Sequence, residues 1–190
     1  MWNYSQTLLE HFTNPRNVGS LDNPDGHAEV GSPECGDAMQ LDIRVGADDR
    51  IEEALFMTFG CASAIASASA LTEMVKGRTL AEAESLENGQ IVEYLGGMPE
   101  EKIHCSVMGS EAMRRAIADF RSRRDRVRQA VASLPPELSR ALEGCSLPQE
   151  RAGATRVELV CSGEGTPGVE ELEKYLAERA GHPVEVKVSV

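Results

Sequence analysis

Residues 39–75 read MQLDIRVGADDRIEEALFMTFGCASAIASASALTEMV. From Met39 to Val45 the apolar residues Met39, Leu41, Ile43 and Val45 alternate with Gln40, Asp42 and Arg44. That is the two-residue period of a strand with one buried face. Ala47-Asp48-Asp49 supplies a turn, because Asp tolerates the backbone angles a turn demands. Ile51 to Phe59 then resumes an extended pattern, with Leu55, Met57 and Phe59 read as its apolar parity. The two runs predict an antiparallel hairpin. From Ala62 to Val75 the side chains shrink mostly to Ala and Ser, and Lys76-Gly77 closes the run. A helix of such side chains can approach a sheet closely, so the fold class expected is α+β, a small antiparallel sheet packed against helices.

Working outward, Leu8, Leu9 and Phe12 lie at helical spacing in an opening helix that Asn14-Pro15 stops. The stretch up to Gly36 is rich in Asn, Gly, Pro and Asp and reads as an irregular or partly extended connection. Downstream, Thr79 and Glu82 form a capping-box pattern, and a short helix around Ile91 to Leu95 ends at Gly96-Gly97. A long helix follows, with Met113, Ile117, Phe120, Val127, Val131 and Leu134 near one face, until Pro135-Pro136 ends it. The tail reads as strand Val157 to Cys161, helix Val169 to Ala180, and a strand in which Val184, Val186, Val188 and Val190 alternate with polar residues. The chain therefore divides into a domain at 1–125 and a C-terminal extension at 126–190 with a β-α-β pattern. That pattern alone is too short to bury an adequate core and is expected to dock on something else.

Acidic residues outnumber basic ones 31 to 19 over the 190 residues, a formal charge of −12, which argues against general affinity for nucleic-acid phosphates. The balance is uneven. Seven arginines and two aspartates between Arg114 and Arg128 make a +5 segment and leave −17 on the remainder. Such a run is read first as a solvated helix face, and otherwise as a docking surface for an acidic partner. No apolar run approaches the roughly 20 residues that span a bilayer, and the first residues lack a signal peptide's apolar stretch. The expectation is a cytoplasmic protein that engages neither nucleic acid nor membrane.

The five cysteines, at 35, 61, 105, 145 and 161, are too few and too scattered for a disulfide scaffold, and no CxxC pair is present. Cys35 stands in Pro33-Glu34-Cys35-Gly36-Asp37 at the entry to a strand, Cys61 at a strand-to-helix junction, and Cys105 after His104 near the start of the long helix. A thiol at a helix N-terminus faces the positive end of the helix dipole, which favours the thiolate that acts as nucleophile and metal ligand. Any one of these residues could equally be a small buried hydrophobe. His11 reads as ordering its segment, His27 and His182 as surface residues, Cys161 as core and Cys145 as a loop residue.

These residues carry a family resemblance. Glu10-His11-Phe12-Thr13-Asn14-Pro15-Arg16-Asn17-Val18-Gly19, Glu34-Cys35-Gly36-Asp37, Gly60-Cys61-Ala62-Ser63-Ala64-Ile65-Ala66-Ser67 and Lys102-Ile103-His104-Cys105-Ser106-Val107 resemble, in order and spacing, the four motifs of iron–sulfur cluster assembly scaffolds of the NifU/IscU type. Leu95-Gly96-Gly97-Met98-Pro99-Glu100-Glu101-Lys102 looks closer to the NifU branch than to the IscU branch, whose two-proline motif here recruits a chaperone. That weakens the expectation of a chaperone partner. The closely spaced cysteines that long NifU proteins carry after this domain are absent after Cys105.

The resemblance implies a scaffold rather than a turnover enzyme. A cysteine desulfurase would deliver persulfide sulfur, with Cys105 as acceptor, and iron would join it. A labile 2Fe–2S cluster would form on Cys35, Cys61 and Cys105, with Asp37 or His104 as fourth ligand, and pass to apo iron–sulfur proteins with Asp37 assisting release. Three soft thiolates suit such a cluster. The same donors suit zinc as an alternative occupant. A persulfide relay that builds no cluster, or a structural zinc protein, are the alternatives, and a homodimer is among the expected assemblies.

Overall fold

The computed structural model describes residues 4–32, 36–142, 145–147, 153–161 and 168–189, with only the backbone described at 32 and 104–106. The chain forms two compact units, 1–119 and 120–190.

In the first unit, α1 (Gln6–Thr13) starts at Ser5, whose side chain accepts the Leu8 N–H. Three strands follow, β1 (Gly26–Ser32), β2 (Asp37–Val45) and β3 (Ile51–Phe59), in the order β1-β2-β3, antiparallel throughout. The helices are α2 (Ala62–Val75), α3 (Leu80–Glu84), α4 (Asn88–Tyr94) and α5 (Ile103–Ala132), the last beginning in this unit and continuing into the second. The capping box at Thr79 and Glu82 is formed. Helix α2 packs on β3, and α1 on α2. Leu8, Leu41, Ile43, Phe56, Leu71, Ile91 and Ile117 are completely or almost completely buried in the resulting core.

Two features differ from the sequence expectation. The connection before Gly36 contains a full strand, β1, whose register aligns Gly26 with Ile43 and Val30 with Met39. The second is the face of β3. Leu55 is half-buried and Met57 and Phe59 are exposed, Phe59 at 79%, whereas Ala54 and Phe56 point into the core. The cause is a bulge. Arg44 pairs with Glu53 but Val45 with Ile51, so Glu52 is an extra residue and the buried parity changes between Ile51 and Ala54.

Both long edges of this sheet are occupied. Asn17 to Gly19 run beside β3, with the Phe56 N–H donating to Asn17 O and the Gly19 N–H to Phe56 O. On β1 the His27 N–H donates to Asp119 Oδ2 at 2.9 Å, and Arg115 donates to the Glu29 carbonyl at 3.4 Å. Gly26 lies so close to the Ala116 carbonyl that no β-carbon would fit between them.

The second unit contains the end of α5, α6 (Pro136–Ala141), α7 (Val169–Ala180) and a sheet ordered β4-β5-β6 from β4 (Cys145–Ser146), β5 (Arg156–Cys161) and β6 (Glu185–Ser189). Strands β5 and β6 are parallel, and β4 is antiparallel to β5. The β-α-β pattern is thus present, but it does not stand alone. Val127 and Val131 from α5 and Leu138 from α6 join Val157, Leu159, Leu172, Leu176 and Val186 in one buried cluster. Cys145 and Cys161 are joined in a disulfide, which the spacing of the cysteines did not suggest.

The histidines and arginines are also more engaged than expected. His27 Nδ1 lies 2.6 Å from Oδ1 of the buried Asp42, and His182 Nε2 lies 2.6 Å from the Ala154 carbonyl, so neither is a free surface residue. Arg115 pairs with Glu111, Arg126 donates to the Ala180 carbonyl, and Arg124 stacks over the Phe120 ring. The basic run is therefore partly spent on internal contacts. Among the described residues no helix is long and apolar enough to cross a membrane.

Candidate functional site

Of the residues singled out by sequence, the structure brings Asp37 and Cys61 together where β2 begins and β3 gives way to α2. Asp37 opens β2 and is 6% exposed. Cys61 follows β3 and is the N-cap of α2, with extended backbone and its carbonyl accepting the Ile65 N–H. This places its half-buried thiol at the positive end of a fourteen-residue helix. Cys61 Sγ and Asp37 Oδ2 are 3.9 Å apart, a thiol-to-carboxylate contact. Gly60 makes it feasible, since a β-carbon there would stand 2.8 Å from both Asp37 Cγ and Oδ1.

Cys35 lies outside the described residues. His104 and Cys105 occupy the first turn of α5, and their side chains are likewise outside the description. Among the described residues no three His, Cys, Asp or Glu side chains converge on a common point for a metal ion. The described part of the site is therefore the Asp37–Cys61 pair.

A shallow concavity of ≈ 630 Å³ lies on the open face of the sheet, between Glu29, Gly31, Ala38, Met57 and Phe59. Ala38 adjoins Asp37, and Phe59 is two residues from Cys61, so this depression borders the pair. The sequence reading did not find it, because it had assigned Met57 and Phe59 to the core. Ser63 and Ser67, quoted above only as part of the second motif, are buried, and among the described residues their hydroxyls have no hydrogen-bond partner. Their signal was only a Ser at every second or fourth position of α2.

The N-terminal motif is a buried polar clamp. His11 is 2% exposed, with Nδ1 2.8 Å from Ser69 Oγ on α2 and its ring edge-on to Tyr94 of α4. The Arg16 backbone N–H donates to the same Ser69 hydroxyl, its guanidinium pairs with Glu10 and Glu73, and Asn17 donates to Thr72. Burial is the main influence holding the His11 imidazole below its ordinary pKa; Arg16 adds to it, while Glu73 and Glu10 oppose it. His11 orders its segment, in keeping with the sequence reading.

Residues 3–127 match the family model described as the NifU-like N terminal domain. The chain is 50% identical over 125 residues to the iron–sulfur cluster assembly scaffold protein IscU of Escherichia coli K12, covering 64% of this chain and 97% of that one. It is 50% identical over 117 residues to IscU 1 of Archaeoglobus fulgidus, covering 62% and 76%. To the nitrogen fixation protein NifU of Azotobacter chroococcum it is 49% identical over 122 residues, 64% of this chain and 40% of the relative. These identities do not separate the two branches. In fold, it is similar to the crystal structure of a putative iron–sulfur cluster assembly scaffold protein for the SUF system from Fervidobacterium islandicum, with a TM-score of 0.51 at 21% identity, covering 60% of this chain and 96% of that one. On the strength of the match over residues 3–127, the chain belongs to the NifU-like N-terminal-domain family.

Proposed function

We propose that this protein is a scaffold on which iron–sulfur clusters are assembled and from which they are handed on. The observation that carries the reading is the Asp37–Cys61 pair at the N-terminus of α2, in a chain half identical to IscU across nearly all of IscU's length. The IscU relatives are named as scaffold proteins, and the role assigned here is likewise that of a scaffold rather than a turnover enzyme.

In this proposal Cys35, Cys61 and Cys105 supply thiolates for a 2Fe–2S cargo, and Asp37 or His104 completes the set. Soft thiolates suit iron and sulfide, while a carboxylate holds such a cluster less firmly, which favours a cargo that leaves. Cys105 is assigned as the persulfide acceptor. Its thiolate attacks the outer sulfur of a desulfurase persulfide, a Cys105 persulfide forms, and the desulfurase cysteine departs as thiolate. Asp37, already against Cys61, is assigned to cluster release. Zinc is the alternative occupant of the same donors.

The partners proposed are a cysteine desulfurase and apo iron–sulfur proteins, with a chaperone and a second copy of the chain as further candidates, and the compartment proposed is the cytoplasm. Residues 1–125 are proposed to carry the scaffold activity and 126–190 to be a separate extension.

The test is anaerobic mixing of the purified protein with a cysteine desulfurase, cysteine and ferrous iron. Visible cluster absorbance that transfers to an apo-ferredoxin is expected. Persulfide on Cys105 without absorbance would replace the scaffold by a sulfur relay, and neither signal would leave a structural zinc protein.

A further inference from the structure

We propose that His27 and Glu29, on the open face of the first sheet, form a landing site for a first-row divalent metal ion, and that the ion it takes up is ferrous iron bound for the cluster site. The identity of the ion as cargo rests on the scaffold reading; the site itself rests on geometry. His27 and Asp42 are cross-strand partners on β1 and β2, and Glu29 lies two residues further along the same face of β1. His27 Nδ1 is 2.6 Å from Oδ1 of Asp42, whose other oxygen accepts the Leu21 N–H at 3.0 Å and the Gln40 amide at 3.2 Å. Asp42 is 2% exposed, so this carboxylate is a fixed anchor for the ring.

A carboxylate only accepts, so in the neutral ring Nδ1 carries the proton and Nε2 keeps its lone pair. A histidine that ligates a metal through one ring nitrogen almost always gives the other N–H to a carboxylate, a carbonyl or water, and that is the arrangement here. Nε2 lies 3.7 Å from Glu29 Oε1. This is too long for a hydrogen bond. It is close to the spacing of two donors on one ion, since bonds of about 2.1 Å at a tetrahedral angle set N and O about 3.4 Å apart. The Glu29 side chain, 76% exposed, is free to close the difference. Imidazole with carboxylate is a donor pair that zinc and ferrous iron both accept. Two protein donors leave the other positions to water, in keeping with the absence of a three-residue group among the described residues. An ion held in this way can leave.

The surroundings suit that use. Glu29 lines the same concavity as Ala38 and Phe59, which borders the Asp37–Cys61 pair. Gln40, the register partner of Glu29, is three residues from Asp37, or about 10 Å along the strand. An ion released from His27 and Glu29 therefore has only the open face to cross. Arg115, which donates to the Glu29 carbonyl, has its guanidinium paired with Glu111, so its charge is already partly answered. Asp42 and Glu29 bring two negative charges to a neutral imidazole, and one divalent ion balances them.

The experiment titrates the full chain, without oxygen, with cobalt(II) as the stand-in for ferrous iron. The ring signals of the four histidines are followed by NMR, and thiolate-to-cobalt absorption is followed in the near ultraviolet. The expected result is a paramagnetic shift of the His27 ring from an ion that gives no thiolate absorption. His27→Gln and Glu29→Gln, both at solvent-facing positions, should each lose that ion with far-ultraviolet circular dichroism retained. Asp42→Asn should weaken it by about 10- to 100-fold, the usual effect of removing the carboxylate behind a ligating histidine. With iron limiting, His27→Gln should also slow cluster formation, and with iron in excess it should match the wild type. A His27 ring untouched by cobalt would overturn the site and leave a plain His–Glu ion pair, as would an ion that survives both single variants. Equal rates at limiting iron would overturn its part in supplying the cluster. Thiolate absorption reports separately on the scaffold reading: its absence beside a shifted His27 ring would count against the cluster site and not against this one.

Discussion

Gly60 supports the carboxylate of Asp37 directly, with no space between its α-carbon and Asp37 Cγ for even one methyl group. The residue before Cys61 is therefore part of what positions the carboxylate facing the Cys61 sulfur.

Gly60→Ala should consequently destabilise the protein by about 1–3 kcal/mol, the usual cost of overpacking. Adding Asp37→Ala should restore part of that loss, because the clash partner is gone. A double-mutant cycle by chemical denaturation measures the coupling, and additive losses would mean that the added methyl group strains the backbone and not Asp37.

Asp37→Ala alone should retain the reconstituted cluster and slow its transfer to an apo-ferredoxin by about tenfold, a typical effect of altering a residue beside a metal site. Transfer is followed by the circular dichroism of the acceptor. Transfer at the wild-type rate would remove Asp37 from the release step.

The buried His11 should make stability depend on pH. Its folded pKa lies below the ordinary 6.5, so between the two values the unfolded chain binds a proton that the folded chain refuses. Its contribution to stability is fully present above pH 6.5, is lost progressively as pH falls, and levels off below the folded pKa. The Tm between pH 5 and 8 should rise with pH, and His11→Gln, which keeps a partner for Ser69, should flatten that rise. An unchanged slope would assign the dependence to other groups.

The inverted face of β3 separates two neighbouring aromatic residues. Phe59→Ser should change stability by less than about 0.5 kcal/mol, as for an exposed site. Phe56→Ala should cost about 3–5 kcal/mol, as for a core aromatic. Equal losses in urea melts would contradict the register across the Glu52 bulge.

The parts of the fold that sequence revealed are those whose periodicity is local. Met39, Leu41, Ile43 and Val45 announce β2, and the Ala/Ser run announces α2. Strand β1 was hidden because Gly26 and Gly31 have low strand propensity and the segment is a strand only through pairing with β2. On β3, apolar residues occupy both faces, and one extra residue decides which set is buried. The disulfide was illegible for a related reason, since Cys145 meets Cys161 through the register of β4 on β5 and not through spacing. In the site, element ends pointed to Asp37 and Cys61, but the bordering concavity depends on the parity that the bulge reversed. Cys35 and the side chains of His104 and Cys105 lie outside the described residues.

The bonds from Asp119 and Arg115 to β1 have a consequence for how the protein behaves among its neighbours. His27 N–H and Glu29 C=O are the backbone groups that a foreign strand would need in order to add to the sheet. With those groups already engaged, and Asn17 to Gly19 doing the same on the opposite side, the sheet offers little template for edge-to-edge aggregation. Exposed Met57 and Phe59 thus lie on the open face of a sheet whose two edges already have part of their backbone engaged.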